Sequence, residues 1–175
     1  SNLALSEAGI SVDDLGHIDF YSCFPVAVEV AAAGLGLDPT DSRGLTVTGG
    51  LPYFGGPGNN YSTHAIASMV ECIRETSRMG LVTANGGFMS KHAAGVYGAS
   101  PSPKGFHRVN TEKEQGALMA AAIPVVLNAE GLAIVDAATV SYDREGKPSR
   151  APIIATLNDG SRAAARAAED ILPDL

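Results

Sequence analysis

Lysine and arginine form no cluster anywhere in the 175-residue sequence, and the formal net charge is -7. A chain with no basic patch to neutralise phosphates has no electrostatic grip on nucleic acid or on an anionic membrane surface. The expected partner is therefore a small molecule or another protein. Long apolar runs are missing too. The nearly apolar stretch GALMAAAIPVVL is about a dozen residues long and contains Pro124, short of the roughly 20 residues that a membrane-crossing helix needs. No span is expected. Cysteine is scarce: Cys23 and Cys72 lie far apart, and the N-terminus lacks the basic-then-apolar pattern of a secretory signal. Together these read as two reduced thiols in a cytoplasmic protein. What remains is an ordinary globular composition, 45% hydrophobic and 18% charged, at a length that suits one well-cored domain with a small appendage.

The order of elements is written in the hydrophobic pattern. ALSEAG reads as the tail of a helix cut from something larger, turning at Gly9, and HIDFYSCF suits a buried strand. After Pro25, VAVEVAAAGLGL has helical spacing and the exit signals Gly34, Gly36 and Pro39. GLTVTGG, β-branched between glycines, reads as a second strand. YSTHAIASMVECIRETSRMG follows as a helix with Ile66, Met69, Val70 and Ile73 on one face. GLVTANGG and HAAGVYGAS read as a third and a fourth strand. Strands alternating with helices imply crossovers and a mostly parallel sheet with helices on both faces, so residues 1–100 are expected to be α/β. Composition then shifts to Ser, Pro, Lys and Gly, marking residues 101–111 as a linker. In 112–175 a short helix over TEKEQGALMAAA precedes two β-rich runs with the turn formers REGKP and NDG. This part is expected to be a partial β-rich module, with the alanine-rich final residues helix-prone.

The segment 49–62, GGLPYFGGPGNNYS, falls where a strand ends and a helix begins. Ligands of open α/β sheets sit at the carboxyl ends of strands, near helix N-termini. Glycine admits a ligand to the backbone with no Cβ in the way, and Asn59, Asn60 and Ser62 are good caps for the following helix. That geometry suits a thioester oxygen or a phosphate; tight packing between sheet and helix explains the same glycines. The spacing matches neither a Walker loop nor a dinucleotide fingerprint.

Three blocks in order carry a family resemblance over residues 3–100. DFYSCFP stands where thiolases carry Asn-Glu-Ala-Phe, or His-Asp-Cys-Phe in the sterol-carrier branch. GGLPYFGGPG stands where they carry Gly-Gly, four residues, then Gly-His-Pro, and LVTANGGF stands where they carry Cys-x-Gly-Gly. The chain resembles the C-terminal half of the thiolase superfamily, in particular thiolase-like proteins related to acetyl-CoA acetyltransferases and to sterol-carrier-protein thiolase. The tail resembles the barrel-type extra module attached to some of them. The resemblance implies an acyl-CoA thioester as substrate or ligand with no covalently bound cofactor, a lipid-metabolic acyltransferase lineage, an N-terminal thiolase half as partner, and a possible homo-oligomer. In the family, a histidine and an asparagine build an oxyanion hole, and a cysteine moves the α-proton. Here those positions read Gly56, Tyr21 and Ala84, and the acyl-accepting cysteine belongs to the other half. The chain as given is not expected to perform a thiolase reaction.

Catalytic candidates that remain are Tyr21 and Ser22, where the resemblance places polar groups, and His64, which could replace the missing imidazole. A Tyr21 phenol could serve acid/base chemistry in a retro-aldol cleavage of a CoA ester; a packed tyrosine is the plain alternative. For His64 the alternative is an ordinary helix histidine. Candidates for contact with the thioester are Cys23, Tyr53, Phe54, Gly55, Gly56, Asn59, Asn60, Asn85, Gly86, Gly87 and His92, with Lys91 beside it. Cys23 reads first as an inert buried thiol, and Lys91 and His92 read equally as a solvated loop. Asn85 to Gly87 carry over best, because a backbone role survives side-chain change. No metal site is expected. Two classes of function stay open: an acyl-CoA enzyme that makes or breaks a carbon–carbon bond beside a thioester, and a noncatalytic acyl-CoA or lipid-binding protein. A third is an assembly module.

Overall fold

A computed structural model of the chain describes residues 1–174. The chain divides into two compact units, one ending at Val109 and the other beginning at Asn110.

The first unit is a three-stranded mixed sheet with helices on both faces. Strand β1 (Leu15–Asp19) pairs parallel with β2 (Met79–Gly86), and β2 pairs antiparallel with β3 (Lys91–Tyr97). The helices are α1 (Asn2–Ala8), α2 (Pro25–Gly34), the single turn α3 (Leu51–Phe54) and α4 (Tyr61–Thr76). Alternation along the strands sorts side chains between two cores. Leu15, Ile18, Phe20 and Leu81 join Leu5 of α1 and Ala32 of α2 on one face. Val82 points the other way, into the α4 stripe of Tyr61, Ala65, Met69 and Ile73. Burying each of the larger aliphatic and phenylalanine side chains among them is worth about 1.5–3 kcal/mol. Gly80 lies under this stripe, where a Cβ would overlap the Met69 side chain, so helix and sheet approach closely only because that residue is glycine.

The parallel pair needs a long crossover, and residues 20–78 supply it. The antiparallel pair closes through a short hairpin at residues 87–90, with Gly87 and Met89 at positive φ of 62° and 58°. The third and fourth expected strands are thus adjacent hairpin partners. Residues 20–24, expected within the first strand, already lie beyond it.

Residues 44–50, expected as a strand, form none. The reason is local: the amides of Val47 and Thr48 donate to the Asp19 carboxylate at 3.0 and 3.3 Å, leaving them unavailable to a ladder. Only the Leu45 carbonyl joins the sheet side, accepting from the Phe20 amide at 2.9 Å.

The second unit begins with α5 (Glu112–Ala120), followed by β4 (Ala133–Ala138), β5 (Ser141–Tyr142), β6 (Pro148–Arg150), β7 (Pro152–Leu157) and β8 (Arg162–Arg166). β4, β7 and β8 form one antiparallel sheet, and β5 and β6 a separate hairpin. The REGK tip is held by Asp143, whose carboxylate accepts from the amides of Glu145 and Lys147 at 2.9 and 2.8 Å. At the next turn the Asp159 carboxylate accepts from the amide and hydroxyl of Ser161 at 2.9 and 2.6 Å. The alanine-rich tail is not an α-helix: its first residues continue past this turn as β8, with Ala163 buried against β7. Only Glu169–Asp174 is helical, as a 3-10 turn. Alanine propensity loses here to cross-strand pairing.

Among the described residues no helix is long and apolar enough to cross a membrane.

Candidate functional site

Because β1 and β2 run parallel, their carboxyl ends lie at one edge of the sheet, and the loops that follow meet there. β1 stops at Asp19, opposite Val82, while β2 runs on to Gly86. The chain leaving β1 is tied to that extension by the Tyr21 amide, which donates to Thr83 Oγ1 at 2.9 Å.

Asp19 organises this edge. Strand alternation turns it away from Ile18 and Phe20 and into the α4 face, where it is fully buried. Its Oδ2 accepts from the Val47 and Thr48 amides and the Thr48 hydroxyl at 3.0 to 3.3 Å, and its Oδ1 accepts from the Tyr61 hydroxyl at 3.1 Å. Thr48 Oγ1 and Tyr61 Oη are 2.6 Å apart, and Thr48 Oγ1 also accepts from the Gly50 amide at 3.1 Å. Among the described residues Asp19 has no cationic partner. Burial pushes its carboxyl above the ordinary carboxylate range, with the hydrogen bonds from Val47, Tyr61 and Thr48 pulling the other way. Burial raises the Tyr61 phenol as well.

Ser22 is the second anchor. It is buried, and its hydroxyl accepts from the Leu51 amide at 2.9 Å. Gly50, at φ 88°, passes so close that a Cβ would lie 3.1 Å from Ser22 Oγ, so this residue must be glycine for both reasons. Much of the glycine-rich segment is therefore already hydrogen-bonded: besides Gly50 and Leu51, the amides of Tyr53, Phe54 and Gly55 close the α3 turn onto Gly50 and Leu51 carbonyls. Among the described residues the amides of Gly49, Gly56, Gly58 and Asn59 have no protein acceptor. These exposed amides are the donors of the segment that the fold leaves free.

Tyr21, the α3 turn and the first turn of α4 carry an aromatic cluster. Tyr21 meets Tyr61 edge to face at 5.4 Å between ring centroids, Phe54 meets Tyr61 at 6.1 Å, and the His64 ring lies 5.3 Å from Phe54. Asn60 stands at the start of α4 without a side-chain cap bond; its amide nitrogen lies 3.3 Å from His64 Nε2 instead. The structure thus brings Tyr21, Ser22, Phe54, Asn60 and His64 together. Tyr53, Gly55, Gly56 and Asn59 are exposed, Cys23 is a half-buried free thiol, and Cys72 lies on α4. On the hairpin, Asn85 and His92 face each other across the ladder, with His92 Nδ1 2.8 Å from Asn85 Oδ1 and Nε2 2.5 Å from the Met89 carbonyl oxygen. Gly86 pairs with exposed Lys91, and the Gly87 amide opens the turn. Phe88 at the tip is fully exposed.

Asp19, Thr48, Tyr61 and Thr83 were not among the sequence candidates. A signal for one was present: a carboxylate set between Ile18 and Phe20 in a strand whose neighbours are buried on both faces. Thr48 and Tyr61 have no such mark, since their roles depend on how the crossover folds back.

A cavity of about 270 Å³ lies in the second unit, lined by apolar residues including Val135, Val140, Ile153 and Ile171.

The comparisons decide the lineage. Residues 115–172 match the family described as thiolase-like protein type 1 additional C-terminal domain. The whole fold superposes on the crystal structure of a monomeric SCP2-thiolase like protein type 1 from Mycobacterium smegmatis, with a TM-score of 0.85 and 40% sequence identity over 98% of this chain. Both findings support a thiolase-superfamily protein. It spans 38% of the length of that Mycobacterium smegmatis protein. No curated protein matches the sequence. Gly56 lies just past the α3 turn, and Ala84 lies within β2.

Proposed function

We propose that this chain is the C-terminal portion of a protein of the acyl-CoA acyltransferase lineage that still handles a coenzyme A thioester at the carboxyl edge of the first sheet. The observation that carries the reading is the set of amides at Gly49, Gly56, Gly58 and Asn59, which lack protein acceptors in the segment that the family uses at its thioester. Main-chain donors aimed at a carbonyl oxygen polarise it without any side chain, so this part of the machinery survives the loss of histidine and cysteine.

Proton transfer at the α-carbon is a different matter. Ala84 and Gly56 hold no titratable group, so the ordinary thiolase acid/base steps have no agent at those positions. Tyr21 and His64 are the groups on this chain near enough to the aromatic cluster to take part in altered chemistry. A noncatalytic acyl-CoA or lipid-binding role needs neither. Calorimetric titration of the full-length protein with CoA and with acetyl-CoA tests the shared claim, and Gly50→Ala serves as the control that disturbs the segment. Saturable heat that weakens at least tenfold in the variant supports thioester binding here; silence from the wild-type protein removes it. Tyr21→Phe then separates the two classes, since binding by a noncatalytic protein survives loss of the phenol hydroxyl and turnover by it does not.

A further inference from the structure

A carboxylate in a protein core is costly unless its oxygens are hydrogen-bonded or paired with a cation. Asp19 has no cation among the described residues, pairs in register with Val82 and meets Tyr61 on the face that carries the apolar α4 cluster. An apolar residue would fill the position more cheaply. What the carboxylate does instead is gather the interior of the crossover: two consecutive amides at Val47 and Thr48, and the hydroxyls of Thr48 and Tyr61, the first of which passes the connection on to the Gly50 amide.

We propose that Asp19 is a positioning residue for the glycine-rich segment, acting through Thr48 to set the course of the main chain as it leaves Val47 and so the direction of the amide donors that follow. Two contacts form a relay from carboxylate to Thr48 hydroxyl to Gly50 amide. Ser22 fastens the next amide, Leu51, from the other side. Between these anchors Gly49 and Gly50 both take positive φ of 88°, a path open to few other residues. A segment with so little intrinsic preference keeps one course only when side chains outside it hold it. That these donors meet a thioester rests on the function proposed above; that Asp19 holds the segment does not.

The test uses four variants of the full-length protein: Asp19→Asn, Thr48→Val, Thr48→Ser and Tyr61→Phe. Amide hydrogen exchange is measured by mass spectrometry on peptides covering residues 45–55, with peptides of β2 as an internal standard. Thr48→Val keeps the shape and breaks the relay, and is expected to speed exchange at 47–51 by about tenfold while β2 is unchanged. Thr48→Ser restores the hydroxyl and is expected to return exchange to the wild-type rate. Asp19→Asn is expected to exceed Thr48→Val; should it fail to fold, the Thr48 pair and Tyr61→Phe still decide. Acetyl-CoA affinity is expected to fall and recover in step with exchange. Wild-type exchange in Thr48→Val, or loosened exchange with wild-type affinity, overturns the proposal. If the wild-type protein does not bind acetyl-CoA, the function proposed above fails, and the exchange rates alone decide whether Asp19 holds the segment.

Discussion

Two aspartates of the first unit, Asp41 and Asp19, respond to pH in opposite senses. The Asp41 carboxylate accepts from the Arg43 guanidinium at 2.8 Å through both oxygens and from the Arg43 amide, and these bonds hold its pKa down to about 2, against an ordinary 3.8. A depressed carboxylate adds stability that is fully present above its unfolded value and is lost as pH falls toward the folded one. An Asp41→Asn variant is therefore expected to flatten the acid side of the stability curve between about pH 4 and pH 2, read by urea unfolding at stepped pH. Asp19 has the reverse sign. Burial raises its pKa above 3.8, so the folded state holds a proton that the unfolded chain has released, and stability declines as pH rises from 3.8 through the folded value. Asp19→Asn is expected to remove that decline. A slope unchanged by the substitution would mean that the carboxylate sits in a wetter place than its complete burial indicates.

At the scale of elements, periodicity was readable where one face packs and unreadable where a side chain intercepts the backbone. Helix α4 follows its apolar spacing, although the buried stripe runs through Tyr61, Ala65, Met69 and Ile73, one step round from the face that Ile66 and Val70 suggest. The strands β2 and β3 also lie where alternation puts them. Residues 44–50 read as a strand on β-branched composition alone, and no pattern in Thr46, Val47 or Thr48 announces that the distant Asp19 carboxylate claims the amides of Val47 and Thr48. The alanine-rich tail fails for the opposite reason: its helical preference is overridden by the pairing of β8 with β7. Close packing makes a prediction of its own. Since a Cβ on Gly80 would overlap Met69, Gly80→Ala is expected to cost about 1–3 kcal/mol by overpacking, and Met69→Ala in the same chain is expected to relieve part of it. Denaturant unfolding of both single variants and the double variant measures the coupling; strict additivity would contradict the contact.

At the scale of the molecule, the two units carry different parts of the account. The lineage was legible in the first from three short blocks in order, whose glycines at positive φ, Gly49, Gly50 and Gly87, set the path of the backbone. The second is the part that the thiolase-like type 1 additional domain describes, and its turns were legible from Asp143, Gly146, Asp159 and Gly160 while its strand order was not. The candidate site was half visible. Residues whose type signals reactivity, Tyr21, Ser22 and His64, do gather at the carboxyl edge. The framework of Asp19, Thr48 and Tyr61 that places them depends on long-range folding, and the number of amides that it already occupies could not be read from composition. The account therefore rests on the few donors left over. Titration calorimetry of the full-length protein with acetyl-CoA tests this most directly: the account predicts saturable binding that Thr48→Val weakens and Thr48→Ser restores, and a wild-type protein that neither evolves heat nor is protected from amide exchange at residues 45–60 by acetyl-CoA contradicts it.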